Sequence, residues 1–320
     1  MVATFSSATA STGASSLTPT KLRILALYGG PGDEREISLE SGRAVAEGLR
    51  QCGHDVRLCD ISSEDLSALE TPCDVVFPIL HGEFGEDGRL QAILEQRGLR
   101  FVGSGSRASA LAMDKAETKR VAKRLGIRTP AWDVMAPADI DKRECAVGAP
   151  AFIKPVDRGS SVGACAVRAP DEIRPAIERV ARQFGRALVE QFIAGDELTV
   201  GVLAGEPLPP LRIRPQSGFY DYTAKYHDDR TEYLFDTGCA PATLAQVADW
   251  SRALYQDIGC RHMARADWLV DADGQAWFLE LNTIPGFTSH SLFPKAATRI
   301  GLDFAALVDR LARMAMEDRR

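Results

Sequence analysis

Apolar and polar positions alternate along this chain in two rhythms, and each change of rhythm marks a change of element. KLRILALYGG (21–30) is a short apolar run closed by two glycines, the pattern of a strand. A polar loop follows, and then apolar positions recur at helical spacing over 38–50. DVRLCD (55–60) and DVVFPIL (74–80) predict two more strands, the second so apolar that a central, parallel position is expected. Strand, helix and strand in alternation predict a doubly wound α/β unit, whose binding crevice lies at the carboxyl ends of its strands. That arrangement sets Gly29–Glu36 and His81–Gly88 on one edge.

Further on, MDKAETKRVAKRLG predicts a helix from near Met113 to Gly126, with Pro130 barring its continuation. AFIKPV (151–156), GACAVRA (163–169) and ALVEQFI (187–193) read as strands, with a helix over 171–184. LTVGVLAGEPLPPLRI (198–213) predicts a hairpin turning at Ala204-Gly205-Glu206, whereas 219–235 has no period and reads as a long loop. A helix over 242–258, two strands around Asp273-Gly274 and a last helix over 303–318 complete the pattern.

Composition narrows the function classes. A chain of 320 residues exceeds one ordinary core and suits two or three modest domains. The net charge of −6 argues against a nucleic-acid partner, which needs a basic surface. No run approaches the roughly 20 apolar residues of a membrane span. Seven cysteines without a C-x-x-C pair predict reduced thiols in the cytoplasm and argue against zinc. Residues 1–20 carry no charged side chain and predict a disordered tail rather than a signal peptide.

Five segments carry candidate chemistry. GGPGDERE (29–36) has glycines after a strand, but its acids would repel a pyrophosphate, which disfavours a nicotinamide cofactor. The acids suit a substrate cation such as an amine, with a solvated turn as the bland alternative. HGEFGEDG (81–88) can approach a ligand closely, although a lone histidine there is more often structural. KPVDRGSSVG (154–163) sets a lysine before a glycine-bounded loop of hydroxyls and backbone N–H groups that can fold over phosphates, helped by Lys115 upstream. In VEQFIAGDE, Glu190 and Glu197 could read an adenine amino group and ribose hydroxyls, or simply face solvent. In ARADWLVDADGQAWFLELN (264–282), Arg265 and Asp267 alternate on one strand and Glu280 and Asn282 on the next. Side chains two apart on a strand share a face, so these oxygens gather in one area, as in Mg²⁺ sites shared with phosphates.

Together, GGPGDEREISLESG, HGEFGEDGRLQAILE, GSGSRASALAMDKAETK, KPVDRGSSVG, VEQFIAGDELTVGVL, FYDYTAKY and GCRHMARADW…FLELNTIPGFTSHSLFP resemble the D-alanine–D-alanine ligase family of ATP-grasp enzymes. The resemblance spans residues 21 to about 310. It implies a multidomain α/β and α+β protein: a Rossmann-like α/β substrate domain over 21–105, a central ATP-grasp domain over 106–197 and a C-terminal catalytic domain over 198–320. It also implies a cytoplasmic homodimer, acting in peptidoglycan precursor synthesis, that takes D-alanine, ATP and two Mg²⁺ or Mn²⁺ ions per site. One D-alanine would be phosphorylated by ATP, and the amine of the second would displace the phosphate.

By the same resemblance, Glu34 would hold the first ammonium, and Ser160 would bridge Glu34 and Tyr226. Lys115, Lys154 and Lys225 would meet the ATP phosphates, and Glu190, Phe192 and Glu197 the nucleoside. Asp267, Glu280 and Asn282 would bind the metals. Arg265 and the Gly286 N–H would form the oxyanion hole, and Ser291 would take the acceptor's carboxylate. Tyr226 favours a dipeptide over the D-lactate ester, for which relatives tend to carry phenylalanine. The alternatives are another acceptor or a non-enzymatic nucleotide-binding relative. Two departures stand out: Arg158 where an acid commonly precedes the Gly-Ser-Ser-Val-Gly loop, and His262 where glycine is usual.

Overall fold

The computed structural model describes residues 20–32, 34–215 and 230–318. Three sheets organise them. The first is parallel, in the order β2 (Asp55–Ile61), β1 (Arg23–Gly29), β3 (Val75–Pro78). β1, not β3, is therefore central, a correction to the expectation drawn from the apolar 74–80 run. β3 is apolar because it too is covered: Val76 bridges Phe101 on its far side, and Phe77 packs beneath the last helix.

The second sheet runs β4 (Trp132–Met135), β7 (Ala187–Gln191), β5 (Ala151–Pro155), β6 (Cys165–Val167), all antiparallel. Helix α5 (Pro170–Phe184) lays Ile177, Val180 and Ala181 over it, one stripe at helical spacing. The third runs β11 (Glu232–Leu234), β10 (Leu211–Arg214), β8 (Asp196–Leu203), β12 (Met263–Val270), β13 (Ala276–Asn282), with β9 (Glu206–Pro207) pairing β8. Part of the predicted 219–235 loop is thus the strand β11, which pairs with β10; residues 216–229 lie outside the described segments.

The helix expected from Met113 is two helices. α3 (Ser106–Met113) ends there, and α4 (Lys115–Arg124) begins after Asp114, whose extended backbone and carboxylate cap the Glu117 N–H at 3.0 Å. Both helices, with α2 (Arg89–Gln96) nearby and α6 (Pro241–Ile258), are amphipathic, and α3, α4 and α6 cover the third sheet. Trp268 is fully buried there, and its indole N–H donates to Ser251 Oγ at 3.1 Å, so the large ring carries no orphan donor inward.

Helices α7 (Leu292–Thr298) and α8 (Phe304–Glu317) return to the start of the chain. α8 packs on α1 (Arg35–Gln51) and the first sheet through Leu307, Val308 and Leu311. Phe287 is the pin: its ring meets Phe77, Phe293 and Phe304 edge-on, and its N–H donates to Ser41 Oγ at 3.3 Å. The turn after β13 is thereby fastened to the first helix of the chain.

Candidate active site

The β12–β13 register pairs Arg265 with Asn282 and Asp267 with Glu280, so strand alternation does gather the four side chains. A bulge follows Asp267 and pairs Trp268 with Phe278. Arg265 Nε and Nη2 donate to the two Asp267 oxygens at 2.9 and 2.7 Å, and Thr199 Oγ1 donates to Oδ1 at 2.7 Å. Asn282 Oδ1 accepts the Ile284 N–H at 2.9 Å, which fixes its amide. Lys115 stands 3.6 Å from Glu280 and donates to the Arg158 carbonyl at 2.6 Å.

The second sheet faces this block. Phe152 on β5 lies across from Glu190 on β7, and Lys154 across from Leu188, all on one face. Glu190 is 2 % exposed, which rules out the solvent-facing reading. Its Oε2 pairs with Lys154 at 2.9 Å and its Oε1 with Lys119 at 2.5 Å. Burial alone would raise the Glu190 pKa, but the two ammonium groups outweigh it and hold it below the usual range. Burial likewise pulls Lys154 down, while Glu190 and Glu280 hold it above its ordinary value.

The third group comes from the first sheet's carboxyl edge. Glu34, at the N-cap of α1, accepts a hydrogen bond from Ser160 of the glycine-bounded loop. The carboxylate lies 2.3 Å from where a Cβ on Gly82 would sit, and Gly82 has a φ of +68°, so that neighbour needs to be glycine; a Cβ on Gly159 would stand 3.0 Å away, a tight fit. Beside it are two groups the sequence reading did not select. Glu86 is 8 % exposed and accepts the Gly82 N–H at 2.6 Å; burial, then Glu34, push its pKa up to about 8. His81 is buried, and burial and Arg265 lower its pKa to about 4, so it is neutral. The HGEFGEDG loop was the available signal for both, though nothing local distinguished an inward acid from a solvated one.

Three cavities adjoin along these groups. One of about 80 Å³ is lined by Glu34, His81, Glu86, Ser160, Gly286 and Ser291. Gly159, Arg265 and Glu280 also line the next, of about 90 Å³, which includes Lys115, Lys154 and Asp267. Lys154 and Glu197 continue into the third, of about 440 Å³, with Phe192, Ile213 and Leu279. In the first cavity Ser291 Oγ accepts the Thr288 N–H at 2.8 Å and lies 3.1 Å from Thr288 Oγ1. Lys225 and Tyr226 lie outside the described residues. Every other candidate side chain lines this row, together with Gly286.

Family models described as D-ala D-ala ligase N-terminus and C-terminus match residues 60–104 and 121–313. The chain belongs to the D-alanine–D-alanine ligase family. It is 43% identical over 288 residues to the D-alanine–D-alanine ligase of Ectopseudomonas mendocina, covering 89% of this chain and 92% of that one. It is 42% identical to D-alanine–D-alanine ligase B of Chromobacterium violaceum, covering 89% and 95%. Among solved structures, the Coxiella burnetii D-alanine–D-alanine ligase superposes with a TM-score of 0.79 at 27% identity, over 93% of this chain and 94% of that one. The VanG D-Ala:D-Ser ligase of Enterococcus faecalis gives 0.80 at 29% identity, over 92% and 100%. The ATP-grasp fold expected of the family is the fold described above.

Proposed function

We propose that this chain is an ADP-forming ligase that joins two D-alanines through an acyl phosphate, for cell-wall precursor synthesis. The row of three cavities carries the reading, because it matches the order of the reaction. The large cavity, walled by Phe192, Ile213 and Leu279, suits a nucleoside; the middle one, with Lys115 and Lys154, suits polyphosphate; the small one suits two amino acids. Glu34 suits an ammonium group, with Glu86 beside it, and Ser291 suits a carboxylate. Arg265 lines the boundary between phosphate and amino-acid cavities, where charge develops on the acyl oxygen as the second amine attacks.

Asp267, Glu280 and Asn282 fit a hard divalent cation. Asp267 Oδ2 accepts one hydrogen bond and Asn282 Oδ1 one, so each keeps a lone pair. Two carboxylates and an amide are the donor set that Mg²⁺ or Mn²⁺ takes beside phosphate oxygens. A cation there would neutralise charge on the transferring phosphoryl group. Lys225 and Tyr226 join the site by family resemblance alone, as do the homodimer, the cytoplasmic setting and the division at 105 and 197. No helix among the described residues is long and apolar enough to cross a membrane.

The deciding experiment is ATP hydrolysis with a panel of D-amino acids and D-lactate, with products weighed by mass spectrometry. Phosphate release and D-alanyl-D-alanine that both require D-alanine and Mg²⁺ are expected. No D-alanine-dependent turnover by folded, ATP-binding protein sinks the proposal. The likeness to a D-Ala:D-Ser ligase makes D-serine the competing acceptor, and a D-Ala-D-Ser product in excess from an equal mixture would favour it.

A further inference from the structure

Lys119 lines none of the three cavities, yet it is an entirely buried ammonium. Its Nζ has three acceptor neighbours: Glu190 Oε1 at 2.5 Å, Thr129 Oγ1 at 2.6 Å and the Phe278 carbonyl at 3.4 Å. The Thr129 hydroxyl and the Phe278 carbonyl accept its hydrogen bonds, Glu190 is its ion-pair partner, and full burial closes it to a ligand. Burial lowers its pKa to about 8, which still leaves it charged at neutral pH. It projects from α4, which packs on β13, and reaches a carboxylate on β7 of the facing sheet. The ion pair therefore spans the two sheets that wall the nucleotide cavity.

We propose that Lys119 is a positioning residue for the nucleotide: it neutralises Glu190 and so leaves the charge of Lys154 for the polyphosphate. The idea rests on the reading that Lys154 meets the phosphates. Alone, Glu190 and Lys154 at 2.9 Å would be a neutral buried pair, and their field would largely cancel in the phosphate cavity. With Lys119 the triad carries a net positive charge, and only Lys154, 11 % exposed, opens towards the cavity. Glu197 and Glu280 also act on Lys154, so the surroundings are rich in acid and a compensating cation matters. The Glu190 carboxylate, paired with a lysine at each oxygen, lines the large cavity and anchors Lys154 at its edge.

The test compares binding of Mg-ATP and of adenosine, without D-alanine, by calorimetry on the full chain. Lys119→Met is expected to weaken ATP by about tenfold or more and adenosine by less than about threefold, since adenosine carries no charge for Lys154 to meet. Lys119→Met with Glu190→Gln is expected to regain most of the ATP affinity. Equal losses for both ligands, or a double variant no better than the single, overturn the proposal. Lys154→Met separates the premise: if it spares ATP binding, the phosphate reading of Lys154 fails first. Should Lys119→Met not fold, Glu190→Gln decides by the difference between the two ligands. ATP weakened less than adenosine, or strengthened, supports the triad, and an equal or greater loss for ATP overturns it.

Discussion

The hydroxyl of Ser160 donates to the carboxylate of Glu34 across 126 positions of chain. This bond joins the glycine-bounded loop of the second sheet's unit to the N-cap of α1, and it closes one wall of the amino-acid cavity. Ser160 holds φ at +50°, a strained left-handed conformation for a residue with a side chain, and the bond to a charged partner offsets that cost.

Ser160→Ala removes a hydrogen bond to a carboxylate, worth about 1.5–3 kcal/mol. The expected result is a fall of about 10- to 100-fold in kcat/KM for D-alanine, with adenosine binding unchanged. Steady-state kinetics beside calorimetry would check it, and an unaltered kcat/KM would show that the bond is incidental.

A Cβ on Gly286 would stand 2.7 Å from Ser291 Oγ, so the hydroxyl must turn away to admit it. Gly286→Ala is expected to push the Ser291 hydroxyl out of its bond with Thr288 and to raise KM for the acceptor amino acid by about tenfold. Gly148→Ala, where a Cβ meets nothing within 4 Å, serves as the control.

Glu86 gives a pH signature. Its pKa lies near 4.5 in the unfolded chain and is pushed up to about 8 by burial and Glu34 in the folded one. Between these values the native state keeps a proton that the unfolded chain has released, so stability falls as pH rises towards 8 and levels above it. Glu86→Gln cannot ionise and keeps an acceptor for the Gly82 N–H. Its Tm is expected to drop less than the parent's between pH 6 and pH 9; identical drops would place the effect elsewhere.

Arg158 reverses a commonly acidic position, and its guanidinium pairs with Glu83 at 3.2 Å. Both side chains are more than a third exposed, so the pair is worth at most about 1 kcal/mol. Its backbone carbonyl, not its side chain, receives Lys115. Arg158→Ala is therefore expected to change KM for ATP by less than about fivefold, measured at low salt where such pairs are strongest.

The chain's local pattern determined the elements and several of the site groups. Alternation placed Arg265 with Asp267 and Glu280 with Asn282, because a strand's period of two is a local property. The glycines around Ser160 and the acids near Glu34 were legible for the same reason: each lies within a few residues of a strand end. His262, where glycine is usual, was visible as a departure; its φ of +60° explains the preference, and a bond from the Gly103 N–H to its ring nitrogen at 2.9 Å offsets the strain.

Packing alone decided the rest. In the sequence Lys119 is one of several lysines and arginines on a charged helix, and only the facing of α4 against β7 made it a buried counter-charge to Glu190. Glu86 became an inward acid because the His81–Gly88 loop folds back under Glu34. The Pro285–Ser291 turn found its place through Phe287, held by rings from β3 and α8 and by Ser41 of α1. Periodicity is set by each residue's neighbours in the chain. Which charge meets which across a cleft depends on contacts between distant segments, and those are settled only when the three sheets and their helices pack.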